Sequence, residues 1–235
     1  MRPMLLTKSG YYMFFDPNKQ AALLARFGQV SYKNMNIKAL PTLLPHNVQW
    51  SKLFGNNNPV DLEIGCGRTH FLFERAQNFS ERNIVGIEWK YEFMAQAQRR
   101  IKREGIKNAL AFHGNAWMLV ALLFAPSTIS HVVVNFPDPW WKDRHKKRLV
   151  LNNIFLKALH ERMKPESFIL LQTDVEELFE FYKNLVTQSG FFVLDTKINS
   201  GELEDLTRAQ THREKKCMSQ GLRIFRALFR RLDAA

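Results

Sequence analysis

From Val60 onward, short apolar runs alternate with longer amphipathic stretches, and this alternation constrains the fold more than any other feature of the chain. Val60-Asp61-Leu62-Glu63-Ile64 reads as a strand stopped by Gly65-Cys66-Gly67. Further strands are expected over 83–88, 109–113, 131–135, 167–172, 191–196 and 222–229. Between them, helices are expected over 70–77, 91–104 (closed by Gly105), 117–124, 149–163 and 175–189. Strands alternating with helices imply an α/β architecture: a doubly wound, seven-stranded, mostly parallel sheet with helices on both faces. Residues 1–58 lack this regularity. A helix over 16–27 ends at Gly28, and Pro41, Pro45 and Asn56-Asn57-Asn58-Pro59 punctuate the stretch between that helix and the first strand. The expected division is an N-terminal extension, 1–58, lying over a main domain, 59–235.

The chain has 235 residues, a formal net charge of +12 and a pI near 9.9. Such an excess of cations steers a protein toward polyanions, either nucleic acid or an acidic membrane surface. Lys8, Lys19, Arg26, Lys33 and Lys38 in the extension are either a solvated face or an RNA-touching arm. Cys66 and Cys217 are far apart and lack metal-ligand spacing, so neither a disulfide framework nor a zinc site is expected. No apolar run has the length needed to span a bilayer, and Met1 to Leu6 is too short for a signal peptide. These features favour a cytoplasmic protein without a membrane partner or a bound metal. A homo-oligomer or a partner subunit is left undetermined.

In doubly wound sheets ligands bind outside the carboxyl ends of the strands. The residues there are Glu63 with Gly65 and Gly67, then Glu88, Asn115, Asp138 and Thr173-Asp174. One polar side chain per strand end, all on one rim, marks a site. The first turn lacks the third glycine of a dinucleotide fingerprint, because His70 stands there. The Glu63-x-Gly-x-Gly form instead resembles the first motif of Rossmann-like S-adenosylmethionine methyltransferases. That cofactor has no phosphates and is cationic at its sulfonium and amino groups, so nearby carboxylates suit it. Glu88 offers two acceptor oxygens for two ribose hydroxyls, and Asn115 a donor and an acceptor for an adenine edge.

Beyond the fourth strand lies Phe136-Pro137-Asp138-Pro139-Trp140-Trp141-Lys142, followed by Arg144-His145-Lys146-Lys147-Arg148. Two prolines forbid a regular continuation and hold one carboxylate between them. Aromatic faces and a dense cationic tail come next. This run resembles the signature of the tRNA (guanine-N7)-methyltransferase family. Thr211-His212-Arg213-Glu214-Lys215-Lys216 resembles that family's T-x-x-E-x-K motif, and Thr173-Asp174 its acidic turn. The resemblance covers roughly 60–230 and implies a Rossmann-like class I methyltransferase fold.

The residue roles implied by the resemblance are specific. Glu63, Gly65, Gly67, Glu88 and Asn115 are expected to bind S-adenosylmethionine. Asp138 is expected at the active centre, beside the cofactor. Lys142, Asp174, Thr211 and Glu214 are expected to bind substrate, and Arg144, His145, Lys146 and Lys147 to meet tRNA phosphates. The implied reaction methylates N7 of a guanine in tRNA, at position 46 of the variable loop. Asp138 and Glu214 are expected to hydrogen-bond the guanine N1–H and N2–H₂ edge, with Trp140 or Trp141 stacked on the base. Other readings are a different S-adenosylmethionine-dependent RNA methyltransferase and a non-catalytic tRNA-binding subunit of the same fold. The chain departs from the family pattern at Thr69, where a glycine is common, at Asn115, where Asp is frequent, and at Leu149, where the basic run would end in Arg.

Overall fold

The computed structural model describes residues 48–139, 149–196 and 200–233. Its elements in chain order are α1 (Trp50–Phe54), β1 (Val60–Ile64), α2 (His70–Asn78), β2 (Asn83–Glu88), α3 (Tyr91–Glu104), β3 (Ala109–His113), α4 (Ala116–Leu123) and β4 (Ile129–Asn135). They continue as α5 (Asn153–Arg162), β5 (Met163–Thr173), α6 (Glu176–Gln188), β6 (Phe192–Leu194), α7 (Ser200–Thr207), α8 (His212–Ser219) and β7 (Phe225–Arg231). The strands form one sheet in the order β3-β2-β1-β4-β5-β7-β6. Strands β1 to β5 pair in parallel, and β7 runs antiparallel to both β5 and β6. The strand order reverses between β1 and β4, which makes their carboxyl ends the topological switch point of the sheet.

The period of two along each strand explains why both faces are covered. Leu62 and Ile64, Val85 and Ile87, Val132 and Val134, and Ile169 and Leu171 share one apolar cluster with Val120 of α4, Leu156 of α5 and Tyr182 of α6. The alternate positions Ile84, Val133, Phe168 and Leu170 belong to a second cluster, with Leu72 of α2, Met94 of α3 and Leu206 of α7. On that second face β1 presents Asp61 and Glu63, both buried. Asp61 is clamped by Arg75 Nη2 at 3.1 Å and Arg82 Nη2 at 2.5 Å, and Arg75 Nη1 also donates to the Asp205 carbonyl at 2.6 Å. Burial raises the Asp61 pKa, but Arg82 and Arg75 outweigh it and leave the carboxyl below its usual range. One buried acid thereby joins β1, α2 and α7.

The seven strands and their mostly parallel order agree with the alternation in the sequence. Boundaries differ where capping intervenes. The helix expected over 149–163 begins only at Asn153, because the Asn152 side chain accepts from Phe155 N at 2.9 Å. Helices α1, α7 and α8 were not expected. All are short, and α7 and α8 are rich in polar residues, so no apolar period is readable. Some residues before 58, within the stretch read as the extension, are core positions. Val48, Trp50 and Phe54 are buried in the core, and Trp50 packs on Phe124 with ring centroids 4.7 Å apart. The helix expected over 16–27 lies outside the described residues.

Gly86 marks where α2 lies closest to the sheet. A Cβ at that position would sit 2.4 Å from Leu72 Cδ1 and 2.8 Å from Cys66 Sγ. Gly86→Ala should therefore destabilise the protein by about 1–3 kcal/mol, the usual range for overpacking. Urea denaturation should show a lowered midpoint with an unchanged slope.

Candidate functional site

The turn after β1 is shaped by left-handed backbone. Gly65 has φ +74° and Gly67 φ +50°, values that suit glycine. Thr69 has φ +63° and caps α2 without a side-chain hydrogen bond to the helix. Its Oγ1 donates to the Arg68 carbonyl at 2.7 Å instead. A β-branched residue is rare in that conformation, so the departure from glycine at Thr69 carries a local backbone strain. Glu88, at the end of β2, holds the turn from the side. Its Oε2 accepts from Gly67 N at 2.8 Å and its Oε1 from Lys90 N at 2.8 Å.

Beside this turn is a cavity of about 210 Å³. Its wall comes from three places: Glu63 with the glycine turn, Asn135 and Phe136 at the end of β4, and Thr211 to Arg213 at the start of α8. His70 and His212 also line it, with ring centroids 5.5 Å apart. Glu63 is 1% exposed. Its Oε1 accepts from Asn135 Nδ2 at 3.1 Å, while its Oε2 has no hydrogen-bond partner. Burial pushes its pKa up to about 8; the Asn135 bond opposes this, and the charge of Glu88 adds to it. Glu63, a buried carboxylate with one oxygen unpartnered, is part of the cavity wall, and such a group suits the sulfonium or ammonium of S-adenosylmethionine.

The C-terminal motif reaches the same cavity through α8. Thr211 is its N-cap and accepts from Glu214 N at 2.9 Å, while Glu214 Oε2 accepts from Thr211 N at 3.3 Å, a complete capping box. Arg213 donates to Asp174, which follows β5; despite its partial burial, this bond holds the Asp174 carboxyl below its usual range. Glu74 on α2 accepts from Gln210 N at 2.9 Å and from Lys215. Glu214 itself is fully buried. Its Oε1 accepts from Arg226 Nη2 at 2.8 Å, and its Oε2 also accepts from Gln172 Nε2 at 3.2 Å. Its oxygens accept from the helix cap, Gln172 and Arg226, so the observed contacts of Glu214 shape the site from beneath.

The structure brings Glu63, Gly65, Gly67 and Thr211 to one cavity and links Glu88 to it through the Gly67 amide. Asn115 lies one strand further out. Its Oδ1 caps α4 by accepting from Trp117 N at 2.8 Å, and the adjacent Gly114 N donates to the Glu88 carbonyl at 2.9 Å. Asp138 is exposed beyond the end of β4. Before it, Phe136 adopts φ +45° and its N–H donates to the Gln172 carbonyl at 2.7 Å. Lys142, Arg144, His145, Lys146, Lys147 and both Trp140 and Trp141 lie outside the described residues. Asn135, Gln172 and Arg226 were not foreseen. The available signal was a polar residue closing each of two apolar runs, Val132-Val133-Val134-Asn135 and Leu170-Leu171-Gln172. Among the described residues no group of three or more His, Cys, Asp or Glu is placed to hold a metal ion. Nor is any helix among them long and apolar enough to cross a membrane.

The protonation of Glu63 yields a stability test. Between its ordinary value of 4.5 and about 8, the folded chain holds a proton there that the unfolded chain has lost. Stability from this group therefore falls as pH rises through that window. Glu63→Gln should remove that loss, so the variant gains on the parent by at most about 1.4 kcal/mol per pH unit between about pH 5 and pH 8. Urea melts of both proteins across that range, without ligand, measure the gap. Parallel curves would show that Glu63 keeps an ordinary pKa.

Comparison with known proteins agrees with this geometry. The family model described as "Putative methyltransferase" matches residues 57–227. A tRNA (guanine-N(7)-)-methyltransferase of Oceanobacillus iheyensis is 33% identical over 177 residues, covering 75% of this chain and 83% of the relative. One from Myxococcus xanthus is 28% identical over 200 residues, covering 80% and 96%. Among solved structures, the 16S rRNA methyltransferase KamB superposes with a TM-score of 0.55 at 15% identity, over 81% of this chain and 96% of that one. A SAM-dependent methyltransferase from Aquifex aeolicus gives 0.50 at 14% identity, over 93% and 100%. At such identities the structural likenesses establish the Rossmann-like class I methyltransferase fold alone. The family model runs from before β1 into β7, and the match to curated relatives covers most of their length, so this chain belongs to the tRNA (guanine-N(7)-)-methyltransferase family.

Proposed function

We infer that this chain transfers the methyl group of S-adenosylmethionine to N7 of a guanine in tRNA, at position 46 of the variable loop. The observation that carries the reading is the shared cavity. The Gly65–Gly67 turn, Glu63 with its unpartnered oxygen and the first turn of the Thr211-x-x-Glu214 helix all contribute to its wall.

When bound, S-adenosylmethionine supplies an electrophilic methyl group on a sulfonium. Glu63 would hold its cationic end, and Glu88, whose oxygens already accept from Gly67 N and Lys90 N, would receive the ribose hydroxyls on its remaining lone pairs. Guanine N7 carries a lone pair and no proton, so its attack needs no general base. The demands on the chain are orientation, which supplies much of the rate in such transfers, and stabilisation of the positive charge that develops on the base. Asp138 is assigned that electrostatic role, because it is an exposed carboxylate on a proline-braced turn next to the cavity wall formed by Asn135 and Phe136. It also takes the guanine N1–H and N2–H₂ edge, which adenine lacks. Leaving those partners unpaired with adenine would cost about 1–3 kcal/mol per group. With Glu214 enclosed, contact from the C-terminal side is assigned to Thr211 and to Asp174 with its Arg213 partner.

The net charge of +12 and the run Lys142 to Arg148 favour tRNA as the partner, through phosphate contacts that set affinity and leave base identity to the cavity. The target guanine must leave its stack to reach N7 geometry, as is general for enzymes that act on bases. The reading places the protein in the cytoplasm with its substrate.

Incubation with methyl-labelled S-adenosylmethionine and an unmodified tRNA transcript should yield 7-methylguanosine on nuclease digestion; label absent from that nucleoside would sink the reading. Asp138→Ala should lower turnover about 10²-fold or more while tRNA binding stays within a few-fold of the parent. Near-normal turnover would remove Asp138 from its role. Lys146→Ala combined with Lys147→Ala should weaken tRNA binding and flatten its dependence on salt. An unchanged slope would mean that neither lysine meets phosphate.

A further inference from the structure

A continuous row of polar side chains crosses the sheet at the carboxyl ends of β1, β4 and β5 and joins β7. Asn135 Nδ2 donates to Glu63 Oε1 at 3.1 Å, and Gln172 Nε2 donates to Asn135 Oδ1 at 2.7 Å. The same Gln172 nitrogen donates to Glu214 Oε2 at 3.2 Å, while Gln172 Oε1 accepts from Arg226 Nε at 3.0 Å. Arg226 Nη2 closes the row on Glu214 Oε1 at 2.8 Å. The sheet register makes the row possible: Asn135 pairs with Gln172, and Gln172 pairs with Arg226. Gln172 and Glu214 are fully buried, and Asn135 is 7% exposed.

The row has a direction. Both hydrogens of the Gln172 amide are committed, one to Asn135 and one to Glu214, so this amide cannot turn over without setting its oxygen against two acceptors. Asn135 must then present its oxygen to Gln172 and its nitrogen to Glu63. That orientation makes Glu63 Oε1 an acceptor, so a proton held by Glu63 belongs on the unpartnered Oε2. A cation in the cavity favours the ionised form of Glu63 and so strengthens every bond along the row. The far end of the row is Glu214, whose capping box orders Thr211 and the first turn of α8 at the other wall of the same cavity.

We propose that Asn135, Gln172 and Arg226 are positioning residues that couple occupation of the cofactor pocket to the seating of α8, so that cofactor and tRNA each tighten the other's binding. The coupling rests on the methyltransferase function inferred for this cavity and adds residues outside the family's motifs. It requires no displacement of a domain, only a firmer hold on a helix turn whose buried anchor is shared with the cofactor's carboxylate. Reciprocity is a consequence of linkage: whatever factor the cofactor gives to tRNA, tRNA gives to the cofactor.

The test is calorimetric, with the whole chain, S-adenosylhomocysteine and an unmodified tRNA transcript. S-adenosylhomocysteine keeps the cationic amino group and has no methyl group to transfer, so binding is read without turnover. In the parent, saturating S-adenosylhomocysteine should tighten tRNA binding about fivefold or more, with the same factor in the reverse titration. Gln172→Met keeps the length of the side chain and removes its hydrogen bonds; it should bring both factors below about twofold while each ligand still binds. Arg226→Lys keeps the charge and loses the two-pronged grip, and its factor should fall between the two. Should Gln172→Met fail to fold, Arg226→Lys carries the test, with a coupling factor below the parent's expected and an unchanged factor overturning the proposal. A lowered melting temperature with unchanged coupling would overturn the proposal, because a merely structural row predicts that result. A parent that binds both ligands without coupling overturns the coupling alone. A parent that binds neither overturns the methyltransferase reading as well.

Discussion

The structure depends on how buried carboxylates on β1 are neutralised within an apolar sheet. Asp61 and Glu63 point to the same face, but they are treated differently. Asp61 is met by two guanidinium groups and keeps its charge. Among the described residues Glu63 is met by the Asn135 amide and by no guanidinium, and one of its oxygens is left unpartnered. An isolated buried charge is so costly that the group takes up a proton unless a cation arrives. The first carboxylate is therefore structural, holding α2 and α7 against the sheet, while the second keeps an oxygen without a partner. The two side chains are one strand period apart, and their different fates are set by which helix supplies an arginine.

The same face carries the close approach of α2 at Gly86, which brings the N-terminal end of that helix to the glycine turn. Helix α8 is then drawn to α2 through Glu74, to the end of β5 through Asp174, and into the sheet through Glu214. Three separate attachments of one short helix explain how a motif more than a hundred residues away from the first turn comes to form the opposite wall of the cavity. Helix α8 has little apolar surface to bury, so polar contacts must hold it.

Positive charge has a different role from this buried network. The basic run after Asp138 is flanked by firmly held backbone: Phe136 N–H bonds to the Gln172 carbonyl, while Val150 accepts from Trp117 Nε1 at 2.7 Å and donates to the Tyr182 hydroxyl at 3.2 Å. Phosphate contacts need charge density more than exact placement, whereas methyl transfer to a ring nitrogen needs placement more than charge. The proposed function divides the two tasks accordingly, giving phosphate contact to the cations that follow Asp138 in sequence and placement to the carboxylates at strand ends.

How much of this was legible in the sequence depends on the range of the interaction concerned. The strands, their parallel order and the positions of Glu63, Glu88 and Asp138 at their ends come from period-two apolar runs and from glycine and proline, which act over a few residues. The T-x-x-E pattern was also legible, though as a ligand-binding motif rather than as the capping box that starts α8. Tertiary structure alone decided the rest. The enclosure of Glu214 depends on Arg226 and Gln172, which meet it only because β7 inserts antiparallel beside β5. Packing of Trp50 on Phe124 puts a five-residue helix on the core, where so short an element leaves no period to read. The sequence by itself determined which side chains stand at the strand ends, since that is set by local backbone chemistry. The fold decided which of them stay open to a ligand and which are consumed by one another, because burial and hydrogen-bond partnership are properties of neighbours distant along the chain.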